Sequence, residues 1–382
     1  MAARRESVQY DCPLEGSASP YNANGGSDVR EIAIAVTLAF TTTLAHAQGF
    51  TVGSVTAKPG TVASGELEIP AAAGDTGTRI PISIVHGAKP GPVLALIAGV
   101  HGQEYTPVLA LQRLRTAIDP ATLAGTVIMV HVANMPSYTA RTIYYSPVDR
   151  KNLNRVFPGR TDGTISERIA ERITREVIAR ATHLVDIHSG DGNESLRPYV
   201  YWITTGPPEV AEMGRKMALA SGFDHIVIDR GRPTDAAKSV YLSNTAILRG
   251  KPALTVESGF LAVSDEASIA RIERAVAGWL KLLGMRADGP DPVEHPVWID
   301  RNEVLTSKFT GIWYPVVERG QTVVEGTLIG RVTDFHGKTL QEIRAPFGGE
   351  VLYVVGTPAM NEGEPVAFIG AVAPESKVPS PR

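Results

Sequence analysis

A chain of 382 residues that is 43% hydrophobic and 20% charged can bury a sizeable core, and its length predicts one large domain with a smaller one. The formal net charge of -3, without any Lys/Arg block interleaved with aromatics, excludes an electrostatic footprint for nucleic acid. A single cysteine, Cys12, excludes a disulfide framework or thiolate metal site within the chain, so any metal must be held by His and carboxylate.

In chain order, residues 1–48 read as an N-terminal extension. Residues 32–44 form an uncharged apolar run followed by Ala45-His46-Ala47. This is the pattern of a signal-peptide h-region and small-residue cleavage site, and it predicts export to the periplasm. The other reading, a buried strand or core helix, would leave the protein in the cytoplasm; the run is too short for a stable membrane span. A linker is expected over Gln48 to Gly65. Leu67–Pro70 and Arg79–Val85 then alternate like half-buried strands, and Val93–Ala98 is a continuous apolar run of the kind found in central strands. Past Gly99 a helix starts near Thr106-Pro107 and stops before Pro120, carrying Leu109, Leu111, Leu114 and Ile118 on its apolar stripe.

The same rhythm returns with a strand at Thr126–Val132, a helix at Ser166–Ala181 and a strand at His183–Ile187. It continues through Tyr199–Thr204, Val210–Ser221, His225–Ile228, Ala253–Val256 and Ile269–Leu283. Such alternation predicts an α/β catalytic domain over 49–285, an open sheet with helices on both faces. Composition changes at Gly284, and the Pro-rich stretch from Asp288 reads as a linker. From Val297 short strands and glycine turns predict a small all-β barrel or sandwich over 290–375. Its spacing resembles the biotinyl-lipoyl type of β-sandwich but lacks the carrier lysine, which suggests a scaffold or substrate-gating role. Gly337-Lys338-Thr339 reads as a hairpin turn, because no glycine stands at P-loop spacing upstream.

Ligands of open α/β sheets bind beyond the carboxyl ends of strands, where the loop Gly99-Val100-His101-Gly102-Gln103-Glu104 follows Val93–Ala98. A His-x-x-Glu pair in a glycine-bearing turn lets an imidazole and a carboxylate converge on one cation, and a distant His can complete a catalytic zinc site that keeps a position open for water. His188, at the end of another apolar strand, is the natural third ligand. Such a pair also arises by chance, so placement at two strand ends carries the reading. Glu257 ends a third buried strand and suits a general base beside a metal, although a salt-bridge carboxylate is the ordinary alternative. Asp186 alternates with His188 and could orient it or face solvent. Asn154 and Arg155 lie in a loop ending in Pro158-Gly159; the guanidinium fork suits a substrate carboxylate, a surface ion pair being the alternative. Arg141 is a weaker candidate for polarising a scissile carbonyl.

Four ordered motifs, the His101/Glu104 loop, Asn152-Leu153-Asn154-Arg155-Val156-Phe157-Pro158-Gly159, Asp186-Ile187-His188-Ser189-Gly190 and Glu257-Ser258-Gly259, together resemble the succinylglutamate desuccinylase and aspartoacylase family, within the zinc carboxypeptidase clan. The resemblance covers roughly residues 80–370. It implies one zinc ion per chain on His101, Glu104 and His188, Glu257 as base, Asn154 with Arg155 gripping a substrate carboxylate, and a C-terminal β domain narrowing the mouth. Asn152 stands where aspartoacylase has an acidic residue, so substrate identity does not carry over.

Three functions follow as expectations. The first is a deacylase of a small N-acyl amino acid or related acidic amide. The second is a zinc carboxypeptidase acting on short peptides or cell-wall fragments. The third is a periplasmic binding protein that captures acidic ligands without turnover, which a base at Glu257 argues against. Homo-oligomerisation is compatible with any of them. Neither a Gly-x-Ser-x-Gly elbow nor a His-Glu-x-x-His helix is present, so serine and metalloprotease-helix chemistry find no support.

Overall fold

A computed structural model describes residues 49–374 and Val378. The apolar run at 32–44 and Cys12 lie outside the described residues. In chain order the elements are β1 (Phe50–Val52), β2 (Val55–Ala57), β3 (Thr61–Ile69), β4 (Thr78–His86), β5 (Lys89–Ala98), α1 (Tyr105–Ala117), β6 (Ala124–Val130), α2 (Met135–Ala140), α3 (Ile165–Ile173), β7 (His183–His188), β8 (Glu194–Leu196) and β9 (Tyr199–Ile203). There follow α4 (Pro208–Ala220), β10 (His225–Asp229), α5 (Leu242–Ile247), β11 (Ala253–Glu257), α6 (Glu266–Leu282) and β12 (Val297–Thr306). The chain closes with β13 (Gly311–Pro315), β14 (Thr322–Val323), β15 (Leu328–Thr333), β16 (Thr339–Arg344), β17 (Gly349–Val355), β18 (Ala359–Met360) and β19 (Pro365–Ala373).

The expected open α/β sheet is present and is mixed, in the order β14-β17-β19-β12-β10-β9-β11-β7-β5-β6-β4-β3. β7, β5 and β11 run parallel, whereas β9 is antiparallel to β11 and β10 is parallel to β9. Strand alternation divides the apolar side chains between two cores. Leu94, Leu96 and Ala98 of β5 pack with α1, α4 and α6 through Leu111, Met217 and Trp279, while Ala95 and Ile97 pack with α3 and α5 through Ile169 and Leu242. Continuous apolar strands are the cost of burying both faces.

The hydrogen-bonded sheet continues across the Pro-rich linker, because β12 pairs in parallel with β10 and antiparallel with β19. The remaining C-terminal strands form a small antiparallel sheet in the order β16-β15-β13-β18. The turn between β15 and β16 closes with Lys338 N–H donating to the Asp334 carboxylate at 2.9 Å, the hairpin read from Gly337-Lys338-Thr339.

Three elements depart from the sequence reading. The expected linker over 48–65 instead supplies β1, β2 and the start of β3, because Val52, Val55 and Ala57 are buried against the β3–β4 face. The helix expected to run to Ala181 is α-helical only to Ile173 and continues as a π-helical turn over Thr174–Ile178. The short helices α2 and α5 had too few turns to display a period. Among the described residues no helix is long and apolar enough to cross a membrane.

Candidate metal centre and active site

The parallel strands β5, β7 and β11 bring three loop ends to one edge. His188 is the last residue of β7 and pairs in register with Glu257, the last residue of β11. The loop after β5 carries His101, and Glu104 immediately precedes α1. Asn134, fully buried, ties this loop to α2: its Nδ2 donates to the Val100 carbonyl at 3.2 Å, and its Oδ1 accepts from Ser137 N–H at 3.3 Å.

Gly102 is required by close approach. A Cβ there would lie 2.3 Å from the Thr142 carbonyl oxygen and 2.4 Å from that of Ser137. Neither backbone atom can swing aside. Gly102→Ala is therefore expected to cost about 1–3 kcal/mol of stability, the usual price of overpacking. Denaturant unfolding checks this, and a midpoint equal to wild type would contradict it.

The three expected ligands converge. His101 Nδ1 lies 2.8 Å and His188 Nδ1 2.9 Å from the same Glu104 Oε1, and one ligand atom from each residue can be chosen with all within 4.8 Å of one another. The outer nitrogens are occupied. His101 Nε2 lies 3.2 Å from Asn152 Oδ1, an acceptor, and His188 Nε2 lies 2.9 Å from Asp186 Oδ1. An Nε2–H donated to Asn152 turns the His101 Nδ1 lone pair inward, the form a metal requires, while His188 Nε2 also lies 3.3 Å from Asn154 Nδ2, a donor.

Charge points the same way. Glu104, Asp186 and Asp191 are almost wholly buried, and Glu194 and Glu257 are half-buried beside them. Five carboxylates crowd two imidazoles, burial raises Asp191, Glu194 and Glu257 above the ordinary carboxylate range, and Glu104 Oε2 and Asp191 Oδ1 are buried without a hydrogen-bond partner. Burial alone would raise Glu104, but the charges and hydrogen bonds of His188 and His101 bring it down to about 2. Burial opposes a charge on His188 too, yet Asp186 and Glu104 push its pKa well above the ordinary histidine value. Burial holds Glu257 well above the usual carboxylate range; Glu104, Glu194 and Asp186 add to this and His188 opposes it. The residues fit a single metal ion on His101, Glu104 and His188.

Asp186 is fully buried, which excludes its solvent-facing alternative, and its Oδ1 lies 2.9 Å from His188 Nε2. Asp186→Asn should keep the fold but weaken metal binding by about 10–100-fold. Competition against a chelator measures this; an unchanged affinity would show that the carboxylate does not tune His188.

Two cavities open on this edge. The larger, about 650 Å³, includes His101, Glu104, Tyr144, Asp191, Glu194 and Glu257 in its wall. The smaller, about 370 Å³, includes His188, Glu257, Arg155, Arg232, Tyr201 and Tyr241. β12 and β17 contribute Val304, Thr306 and Tyr353 to the larger cavity, so C-terminal strands form part of the mouth.

The other expected residues are placed as follows. Arg155 is exposed and lines both cavities, with Nη1 donating to the Asn154 carbonyl at 2.9 Å and its guanidinium 4.6 Å from the Tyr241 ring centre. Asn154 is buried and lines the smaller cavity, but its amide is engaged: Nδ2 donates to Asp186 Oδ2 at 3.2 Å, and Oδ1 accepts from Leu242 N–H at 2.8 Å. Arg141 is not brought to the site. It is exposed, closes α2 in a left-handed conformation (φ 55°), and is absent from the lining of either cavity. Its carbonyl accepts from Gln103 Nε2 at 2.7 Å, which fixes the backbone of this turn.

Sequence reasoning missed Asp191, Glu194 and Tyr144. Asp191 lies in the loop that follows His188 and Glu194 opens β8 just beyond it, a signal that position alone could have supplied. Tyr144 Oη donates to Glu194 Oε1 at 2.5 Å, and its ring stands edge-on to His101 with centres 5.7 Å apart.

Comparison with known proteins agrees with this geometry. Residues 90–283 match the model of the succinylglutamate desuccinylase/aspartoacylase catalytic domain. The N-alpha-acetyl-L-2,4-diaminobutyric acid deacetylase of Halomonas elongata is 31% identical over 303 residues, covering 77% of this chain and 86% of that protein. The crystal structure of a succinylglutamate desuccinylase from Silicibacter sp. superposes with a TM-score of 0.74 at 25% identity, covering 85% of this chain and 100% of the other. The product-bound ectoine utilization protein of Ruegeria pomeroyi gives 0.73 at 25% identity, covering 83% and 98%.

Proposed function

The chain belongs to the succinylglutamate desuccinylase/aspartoacylase family, and from that membership we propose that it is a zinc-dependent deacylase that hydrolyses the amide bond of a small N-acyl amino acid. The observation that carries the reading is the convergence of His101, Glu104 and His188 beside Glu257, which pairs in register with His188 at the junction of two cavities.

Zinc at the triad would supply a Lewis acid for the amide carbonyl and a source of nucleophilic water at neutral pH. Glu257 takes the proton that water gives up on attack and then donates it to the departing nitrogen, so a carboxylic acid and a free amine leave. Its elevated pKa suits a group that must hold that proton between the two transfers. Asp186 and Asn152 keep the imidazole nitrogens aimed inward. Arg155, at the junction of the cavities, grips the substrate carboxylate, and Asn154 braces the turn that carries it.

The Halomonas relative is named for an N-acetylated diamino acid, and Asp191 and Glu194 line the larger cavity with acceptors that suit a cationic side chain. N-acetyl-L-2,4-diaminobutyrate is therefore the first substrate to try, beside neutral and acidic N-acyl amino acids. Amine release by the zinc-loaded chain, abolished by a chelator, is the expected result. Failure to release amine from any N-acyl amino acid would overturn the proposal.

A further inference from the structure

Resting on the deacylase reading, we propose that Arg232 is a specificity-determining residue that binds the substrate carboxylate together with Arg155. Arg232 follows β10 in the sequence Gly231-Arg232-Pro233. Its Nε donates to Asp229 Oδ2 at 2.5 Å, and its side chain is only 12% exposed. Among the described residues neither Nη has a hydrogen-bond partner, so the carboxylate that holds the inner edge of the guanidinium leaves the outer edge to a ligand. Its plane is held as well: the guanidinium lies 4.0 Å from the Tyr241 ring centre, and Arg155 lies 4.6 Å from the same ring. Two cations around one tyrosine, Arg232 paired with Asp229 and Arg155 with no carboxylate partner among the described residues, stand in the wall of a cavity shared with Glu257 and His188 and leave a positive charge for an anion.

The reach is right for this substrate class. The Arg232 guanidinium lies 5.8 Å from the Tyr201 ring centre. Tyr201 pairs with Thr255, and Thr255 is one same-face step before Glu257 on β11, a rise of about 7 Å. Arg232, Tyr201 and Glu257 line the same cavity, so a carboxylate held by Arg232 stays within one small pocket of the amide that Glu257 serves. Arg232 is also the better prepared of the two arginines, since Arg155 is exposed and spends Nη1 on a backbone carbonyl. A fixed guanidinium fork binds carboxylate through two parallel hydrogen bonds.

The test compares N-acetyl amino acids with their carboxamides, which keep size and remove the charge. Arg232→Gln should raise KM for the acid about 30-fold, as expected for loss of a charge-assisted pair, with kcat and zinc content near wild type and KM for the carboxamide changed less than about 3-fold. Arg232→Lys, which keeps charge without the fork, should fall between. Calorimetric binding of the same acids to the metal-free chain reads the contact without turnover, so an inactive wild type would refute the deacylase reading separately. Equal loss for acid and carboxamide, no loss for the acid, or no binding of the acid to wild type would each overturn the assignment.

Discussion

Glu257→Gln is expected to lower kcat by about 10³-fold while zinc content and KM stay near wild type. Gln keeps the size and the acceptor oxygen of Glu257 but cannot accept the proton that attack by water releases. The residue is not a ligand of the triad; it stands on the neighbouring strand, in register with His188, so its loss should leave metal binding intact. That separation makes the variant informative. A kcat within about 3-fold of wild type would remove Glu257 from the chemistry, and simultaneous loss of zinc would make it part of the metal site.

His188→Ala should have the larger effect, eliminating stoichiometric metal and with it turnover. The substitution removes one of three ligands and also strips Asp186 and Glu104 of their shared partner: Asp186 Oδ1 lies 2.9 Å from one ring nitrogen and Glu104 Oε1 2.9 Å from the other. Removing one member of a buried charged set leaves uncompensated carboxylates, a loss of about 3–5 kcal/mol. Metal analysis and denaturant unfolding should therefore move together. Retention of the metal by a folded His188→Ala chain would show that a different set of groups holds it.

Much of this site was legible because its chemistry sits on parallel strands. Hydrophobic runs placed β5, β7 and β11, and the rule that ligands gather at strand carboxyl ends led to His101, Glu104, His188 and Glu257 without knowledge of strand order. Asp186 was visible through strand alternation, although only its complete burial decided between orienting His188 and facing water. Arg232 was out of reach for the opposite reason. β9 runs antiparallel to β11 and carries β10 with it, so the carboxyl end of β10 points away from the Glu257 edge, and Asp229 with Arg232 reach the cavity from that far end. Pairing direction is a tertiary property that no local period records.

Arg141 illustrates the converse. Its residue type suited carbonyl polarisation, but it terminates a six-residue helix in the left-handed region, and the turn's backbone, not its guanidinium, contacts the His101–Glu104 loop through Gln103. The strands β1 and β2 were lost inside an expected linker because three-residue segments are too short to show alternation, even though Val52 and Ala57 are buried.

His101, Glu104 and His188 are proposed to hold one catalytic metal ion. Metal analysis of the purified chain, coupled to an amine-release assay before and after chelation and after zinc is restored, tests it most directly. About one zinc per chain is expected, with activity lost on chelation and regained on zinc addition. A chain that releases amine at full rate without stoichiometric metal would contradict it.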